Sequence, residues 1–127
     1  TAIHAQAWQT QDPNFLYKTT PYNVICPNAT DAWTFGFEVD SATQYYTEVN
    51  YTLSRTTNSG ETWESITIPH TEPGYFACLS ASSGDVAWIS YVDYSEGNKL
   101  LQTVDGGLTW PTYLMKTKAL PWVIRIA

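Results

Sequence analysis

Thr56-Thr57-Asn58-Ser59-Gly60-Glu61-Thr62-Trp63 returns 47 residues later as Thr103-Val104-Asp105-Gly106-Gly107-Leu108-Thr109-Trp110. Thr, Asn or Asp, Gly, Thr and Trp stay in register, a match at five of eight positions that marks an internal repeat and redirects the search for a fold. Each type has a reason to stand there. Asn58 or Asp105 offers a short side-chain oxygen that accepts hydrogen bonds from turn amides. Gly60 and Gly107 allow backbone angles that a β-carbon penalises. Trp63 and Trp110 start an outer strand and offer a large apolar surface to bury beneath the turn.

The register extends beyond the turn. Tyr75 lies 12 residues after Trp63 and Trp122 lies 12 residues after Trp110, each opening a short apolar run. Tyr22 opens a similar run 14 residues after Trp8, while Asp31-Ala32-Trp33 and Asp85-Val86-Ala87-Trp88 begin the next strand of each unit. Trp33 and Trp63 are 30 residues apart but Trp88 and Trp110 only 22, so the first unit carries an insertion of eight within Val39–Asn50. The spacing predicts strands at 22–26, 32–38, 51–57 and 63–68, then at 75–80, 86–92, 98–103 and 110–115. Gly, Pro, Asn, Asp and Ser separate them, and no stretch has helical periodicity. Four short antiparallel strands per unit is the pattern of a β-propeller blade.

The expected fold is therefore all-β, a propeller segment with two four-stranded antiparallel blades, a leading outer strand and a trailing innermost strand. Residues 1–20 form an N-terminal segment with the closing outer strand around Trp8. Blade 1 occupies 21–68 with its repeated turn at 56–63, blade 2 occupies 69–115 with its turn at 103–110, and 116–127 open a third blade. Composition agrees. Aromatic residues make up 15% of the 127, a share that suits half-buried pleated surfaces. Six Lys and Arg against 12 Asp and Glu leave a net charge of −6, which offers no basic face for nucleic-acid phosphates. Apolar runs are too short and broken for a membrane span. Thr1 is not followed by a charged and then an apolar leader region, as in a processed mature chain.

The Ser/Thr-x-Asp/Asn-x-Gly-x-Thr-Trp pattern resembles the Asp-box, or BNR repeat, of sialidase-like β-propellers, which sits between the third and fourth strands of a blade. With Ala5-Gln6-Ala7-Trp8, Asp31-Ala32-Trp33, Phe35-Gly36-Phe37 and the two boxes, the whole looks like the N-terminal blades of Asp-box propellers exported by Bacteroidetes, commonly by type IX secretion. The resemblance implies a structural role for Thr56, Asn58, Gly60, Thr62 and Trp63 and for Thr103, Asp105, Gly107, Thr109 and Trp110. It also implies an extracellular or cell-surface location. Asp40-Ser41-Ala42 resembles the O-glycan acceptor of that phylum, which makes Ser41 a candidate site against the reading of an ordinary loop serine. Asn28-Ala29-Thr30 and Asn50-Tyr51-Thr52 are formal N-glycosylation sequons.

Sialidases of this type need an arginine cluster, and this chain has Arg55 and Arg125 alone. Arg55 stands where the second repeat has Gln102 and is expected to be a solvated strand residue. Arg125 falls on an innermost-type strand, solvated or lining a channel. Carboxylates Asp31, Glu38, Asp85 and Asp93 recur on strands and loops, but nothing singles out an acid–base pair. Cys26, Cys78, His4 and His70 lack zinc spacing, and no nucleophile or phosphate-cradling motif occurs. Catalytic residues, metal and cofactor are therefore not expected. Cys26 and Cys78 fall on corresponding innermost strands and form either a disulfide or two buried thiols.

The leading function is a non-enzymatic scaffold for protein interaction. Partners are the remaining blades of a longer propeller, or identical subunits completing the ring, together with surface proteins or glycans. The alternative is a lectin in which Trp33, Trp88, Tyr45, Tyr46, Tyr91 or Tyr94 stacks on sugar rings, and glycoside hydrolysis is a third reading. Two blades do not close a ring of four to eight.

Overall fold

The computed structural model describes residues 9–15, 19–39, 46–68, 74–93 and 97–114. Eight strands follow in chain order: β1 (Thr19–Ile25), β2 (Ala32–Val39), β3 (Tyr46–Thr56), β4 (Glu64–Ile66), β5 (Gly74–Ala81), β6 (Ala87–Asp93), β7 (Gly97–Thr103) and β8 (Thr112–Leu114). They make two antiparallel sheets, β1-β2-β3-β4 and β5-β6-β7-β8, each a meander in sequence order. No helix occurs among the described residues. The all-β reading with two four-stranded blades holds.

Alternation decides which side of each sheet is buried against the other. On β2, Trp33 and Phe35 face one way with Leu53 of β3 and Ile66 of β4, and all four belong to one core with Phe76, Leu79, Ala87, Ile89, Tyr91, Leu101 and Trp110 of the second sheet. The first sheet thus packs on the second through opposite faces of equivalent strands. Aromatic rings tie the seam: Phe35 meets Phe76 edge-on with centroids 6.4 Å apart, and Phe76 meets Tyr91 at 5.4 Å.

The opposite face of blade 1 is small and polar. Thr34, Thr52, Ser54 and Thr56 are buried there, where the second blade has Ile89, Lys99, Leu101 and Thr103. Their hydroxyls are satisfied locally: Thr34 Oγ1 donates to Asn23 O at 2.7 Å, Thr19 and Thr52 share a hydrogen bond of 3.0 Å, and the single Ser54 Oγ proton lies between two acceptors, Glu64 O and Pro13 O. Residues 9–15 lie against this side without forming a strand.

Several boundaries differ from expectation. The β1 strand begins at Thr19, and both first strands bulge at equivalent places, between Pro21 and Asn23 and between Phe76 and Cys78. Pro21 has no N–H to donate, so a ladder interruption there is unsurprising. The outer strands are shorter than predicted and start after the tryptophans, at Glu64 and Thr112. In the second blade Pro111 supplies a carbonyl to Gln102 N at 3.0 Å but no donor. The eight-residue insertion lies between Gly36 and Thr52 and partly lengthens β3, which has 11 residues against 7 in β7. The strands expected around Trp8 and over 116–127 lie outside the described residues.

If the two sheets share one core, Phe35 and Phe76 must be energetically coupled. Each single change to Leu is expected to lower stability, and a double-mutant cycle by urea unfolding to give a coupling of about 1 kcal/mol. Strict additivity would mean that the sheets do not pack on each other through these rings.

Candidate functional site

The repeated residues assemble two near-identical turns. In the first, buried Thr56 donates through Oγ1 to Asn58 Oδ1 at 2.9 Å and accepts from Gly60 N at 3.0 Å. Thr62 N donates to Asn58 Oδ1 at 2.9 Å, and Asn58 Nδ2 donates to Thr62 Oγ1 at 2.7 Å. In the second, Thr103 Oγ1 donates to Asp105 Oδ1 at 2.8 Å and accepts from Gly107 N at 2.8 Å. Thr109 contributes both its N, at 2.9 Å from Asp105 Oδ1, and its Oγ1, at 2.5 Å from Asp105 Oδ2. Only the last bond changes sense between the two, because an amide can donate and a carboxylate cannot. Gly60 and Gly107 have φ of +83° and +95°, left-handed values that fit glycine.

Four donors converge on the Asp105 carboxylate. Its pKa falls from 3.8 to about 2, chiefly through the Thr109 hydroxyl, then through Thr109 N. The oxygens are all engaged by the turn itself, which leaves the group a structural anion and a poor acid or base.

A second constellation joins one blade to the next at the same end. The loop 82–86 that precedes β6 is gripped from blade 1 at four points. Trp33 Nε1 donates to Ser83 O at 2.8 Å, Gly84 N donates to Asp31 Oδ2 at 2.8 Å, Arg55 Nε donates to Gly84 O, and Arg55 also pairs with Asp85 at 3.4 Å. The Arg55 guanidinium pairs with Glu64 at 2.8 Å and sits over the Trp33 ring, 5.7 Å from its centroid. A β-carbon at Gly84 would stand 2.7 Å from the Thr57 methyl and 3.0 Å from the Asp31 carboxyl, so only glycine lets the loop come this close. Asp31 is held below the ordinary carboxylate range, first by the Asn28 amide and further by Gly84 N, Thr30 and Arg55, against the opposing effect of burial.

These positions revise several expectations. Arg55 is not a solvated strand residue but the bridge between blades. Asp31 and Asp85 are not counterparts: Asn28, Thr30 and Asp31 correspond to Ser83, Asp85 and Val86, since Asn28 Oδ1 and Ser83 Oγ each accept from the amides two and three residues on. Asp93 is buried against Lys99 at 2.9 Å, so the recurring carboxylates do not converge. Trp33 and Tyr91 lie in the inter-blade core and present no ring to a sugar. Cys26 and Cys78 are free thiols, the first exposed and the second half-buried. In the ladder Cys78 pairs with Ser90 while Cys26 lies beyond the last β1 pair, Ile25 with Trp33, three positions out of register. That is about 10 Å along a strand, beyond the reach of a disulfide. Trp63 is half-buried and bonded to Gln11, whereas Trp110 is buried with its Nε1 on Gly107 O at 3.0 Å. Among the described residues no three His, Cys, Asp or Glu are grouped to hold a metal, and no helix is long and apolar enough to cross a membrane. Ser41, Tyr45, Tyr94, His4, His70 and Arg125 lie outside the described residues, and the side chains of Glu38 and Tyr46 are likewise not described.

No protein-family model matches the chain, and no curated protein matches it. A solved structure described as YCF48 bound to D1 peptide does, with a TM-score of 0.55 and 23% identity over 92% of this chain. The chain is a β-propeller segment. It spans 32% of that propeller's length, so the blades described account for a part of such a ring.

The turns predict a pH signature. Asp105 has a folded pKa of about 2 against an ordinary 3.8, so its contribution is fully present above the ordinary value and is lost as pH falls toward 2. Melting temperature of the native chain is expected to drop over that window, with a smaller drop in Asp105→Asn, because Asn58 shows that an amide serves the turn. Asp105→Ala is expected to lower the melting temperature near neutrality as well. Loss of ligand binding in Asp105→Ala at unchanged melting temperature would overturn the structural role.

Proposed function

We propose that the chain belongs to a non-catalytic, exported β-propeller of the Asp-box type, acting at the cell surface or outside the cell as a scaffold for protein interaction. The single observation that carries this reading is how the repeated polar groups are used. Asn58, Asp105 and their threonines spend their hydrogen bonds inside the turns, and Asp31, Arg55 and Asp85 spend theirs holding blade to blade. What the blades then offer is a rigid surface. That the similar solved propeller holds a peptide supports protein as the partner class. The partners are the remaining blades of a longer ring or identical subunits that complete it, together with surface proteins. The export reading rests on the resemblance to Bacteroidetes propellers, with Ser41 as its candidate glycan acceptor.

Cross-linking of the chain to intact producing cells, followed by mass spectrometry, is expected to recover a specific surface protein whose binding saturates. Aryl glycosides, an aryl sialoside among them, are expected to be left intact. Turnover above that of heat-denatured protein would replace the scaffold with an enzyme, and recovery of no saturable protein partner would remove the interaction reading.

A further inference from the structure

The two donors that hold residues 9–15 against blade 1 each have a second acceptor at hand. Trp63 Nε1 donates to Gln11 Oε1 at 3.1 Å, and the buried Ser54 hydroxyl lies between Pro13 O and Glu64 O, the latter at 3.1 Å. The remaining tie, from Asn14 Nδ2 to Trp63 O, is long at 3.4 Å. No backbone–backbone hydrogen bond joins residues 9–15 to the sheets among the described residues, and Gln9, Thr10, Gln11, Asp12 and Asn14 are exposed. The bend within the segment is its own: Asn14 N donates to Asp12 Oδ1 at 2.9 Å, with Asn14 at φ +54°.

The second repeat shows where such an indole goes when no Gln11 is present. There Trp110 Nε1 donates to Gly107 O at 3.0 Å, inside its own turn. The place over the turn glycine is filled by blade 1, since a β-carbon on Gly107 would stand 2.8 Å from Ile66 Cδ1. On the first turn Gln11 fills that place, and a β-carbon on Gly60 would run into its carboxamide. The sequence repeat pairs the same two residues, for Gln11 stands three after Trp8 and Ile66 three after Trp63. An amide thus replaces an apolar side chain, and its oxygen draws the indole out of the turn. Trp63 is accordingly half-buried where Trp110 is buried. The turns are otherwise near-identical, so Gly60 O is the acceptor that corresponds to Gly107 O.

We propose that residues 9–15 are a releasable strap with Gln11 as its catch. Seated, the strap holds the Trp63 indole N–H on Gln11 Oε1; when it lifts, the indole turns to Gly60 O and the Ser54 hydroxyl keeps Glu64 O. A buried donor that would lose its acceptor is what normally locks a segment in place. Neither donor is orphaned here by release. Trp33, by contrast, draws its acceptor from the other blade, and separating the blades would orphan it. The strap therefore opens well below the free energy needed to part the two sheets, as local openings do. The device belongs to blade 1 alone and goes beyond the scaffold reading, so neither depends on the other.

The NMR resonance of the Trp63 indole N–H, identified by its loss in Trp63→Phe, and subtilisin nicking within residues 9–15 of the full chain test this. Gln11→Ala removes the catch. The indole resonance is expected to move toward that of Trp110, and nicking, which follows the population of the open form, to rise about tenfold. Gln11→Ile restores the apolar contact that Ile66 makes on the second turn, so the indole should move in the same direction while nicking falls below that of the native chain. The melting temperature of Gln11→Ala should stay within about 2 °C of the native value, because Gly60 O takes the freed donor. A Trp63 resonance that stays in place in both variants, or nicking that Gln11→Ala leaves unchanged, would overturn the proposal. So would a melting temperature lowered by about 5 °C or more in Gln11→Ala, the mark of an indole left without an acceptor.

Discussion

The indole N–H of Trp33, buried between two sheets, is the constraint on which the rest of the arrangement depends. A donor taken out of water must find an acceptor or destabilise the fold by about 1–3 kcal/mol. The acceptor here is a carbonyl on the neighbouring blade, in the loop that leads into its second strand. That bond fixes how close the blades come and at what height. The loop must then do without a side chain at Gly84, and its freed amide and carbonyl are taken up by Asp31 and Arg55. Arg55 in turn lies across the face of the same indole. One buried ring thus determines a glycine, an ion pair and the orientation of two sheets.

The repeated turns serve this arrangement from behind. A threonine hydroxyl, fully buried at Thr103 and nearly so at Thr56, anchors each turn from inside the sheet, and the acidic or amide residue two positions later gathers the outer amides. The turn then reaches the preceding loop: Ser59 N bonds Thr30 O at 2.8 Å, and Gly106 N bonds Asp85 O at 3.0 Å. Each blade is stapled across its own end before it meets its neighbour, which presents the gripping loop as a rigid object.

Much of this could be read from the sequence because turn chemistry is local. Thr, Asn or Asp, Gly and Trp within eight residues carry their own geometry, and the strands between the turns followed from spacing. What could not be read was long-range. Arg55 has the pattern of a solvated strand residue, and its partners in the 82–86 loop are 29 and 30 residues away. Asp31 and Asp85 look alike beside their tryptophans, yet Asn28 and Ser83 set the true register. Trp33 and Tyr91 read as aromatics of either a core or a sugar site, and only the stacking of opposite sheet faces decides between them. The short outer strand of blade 2 reflects Pro111 and Trp110, whose indole the turn retains through Gly107 O.

The two halves of the repeat keep different time. Through the first two strands the blades are offset by 55 residues, and through the last two by 47, so the eight extra residues of blade 1 enter at the end of the β2–β3 hairpin. Every bond of the inter-blade latch lies at the opposite end. A blade of this design can therefore lengthen or change its hairpin tip without disturbing the spacing between blades. The fold separates a mechanical rim, held to tight tolerances, from a rim free to diversify, and differences in length between blades are most cheaply written on the second.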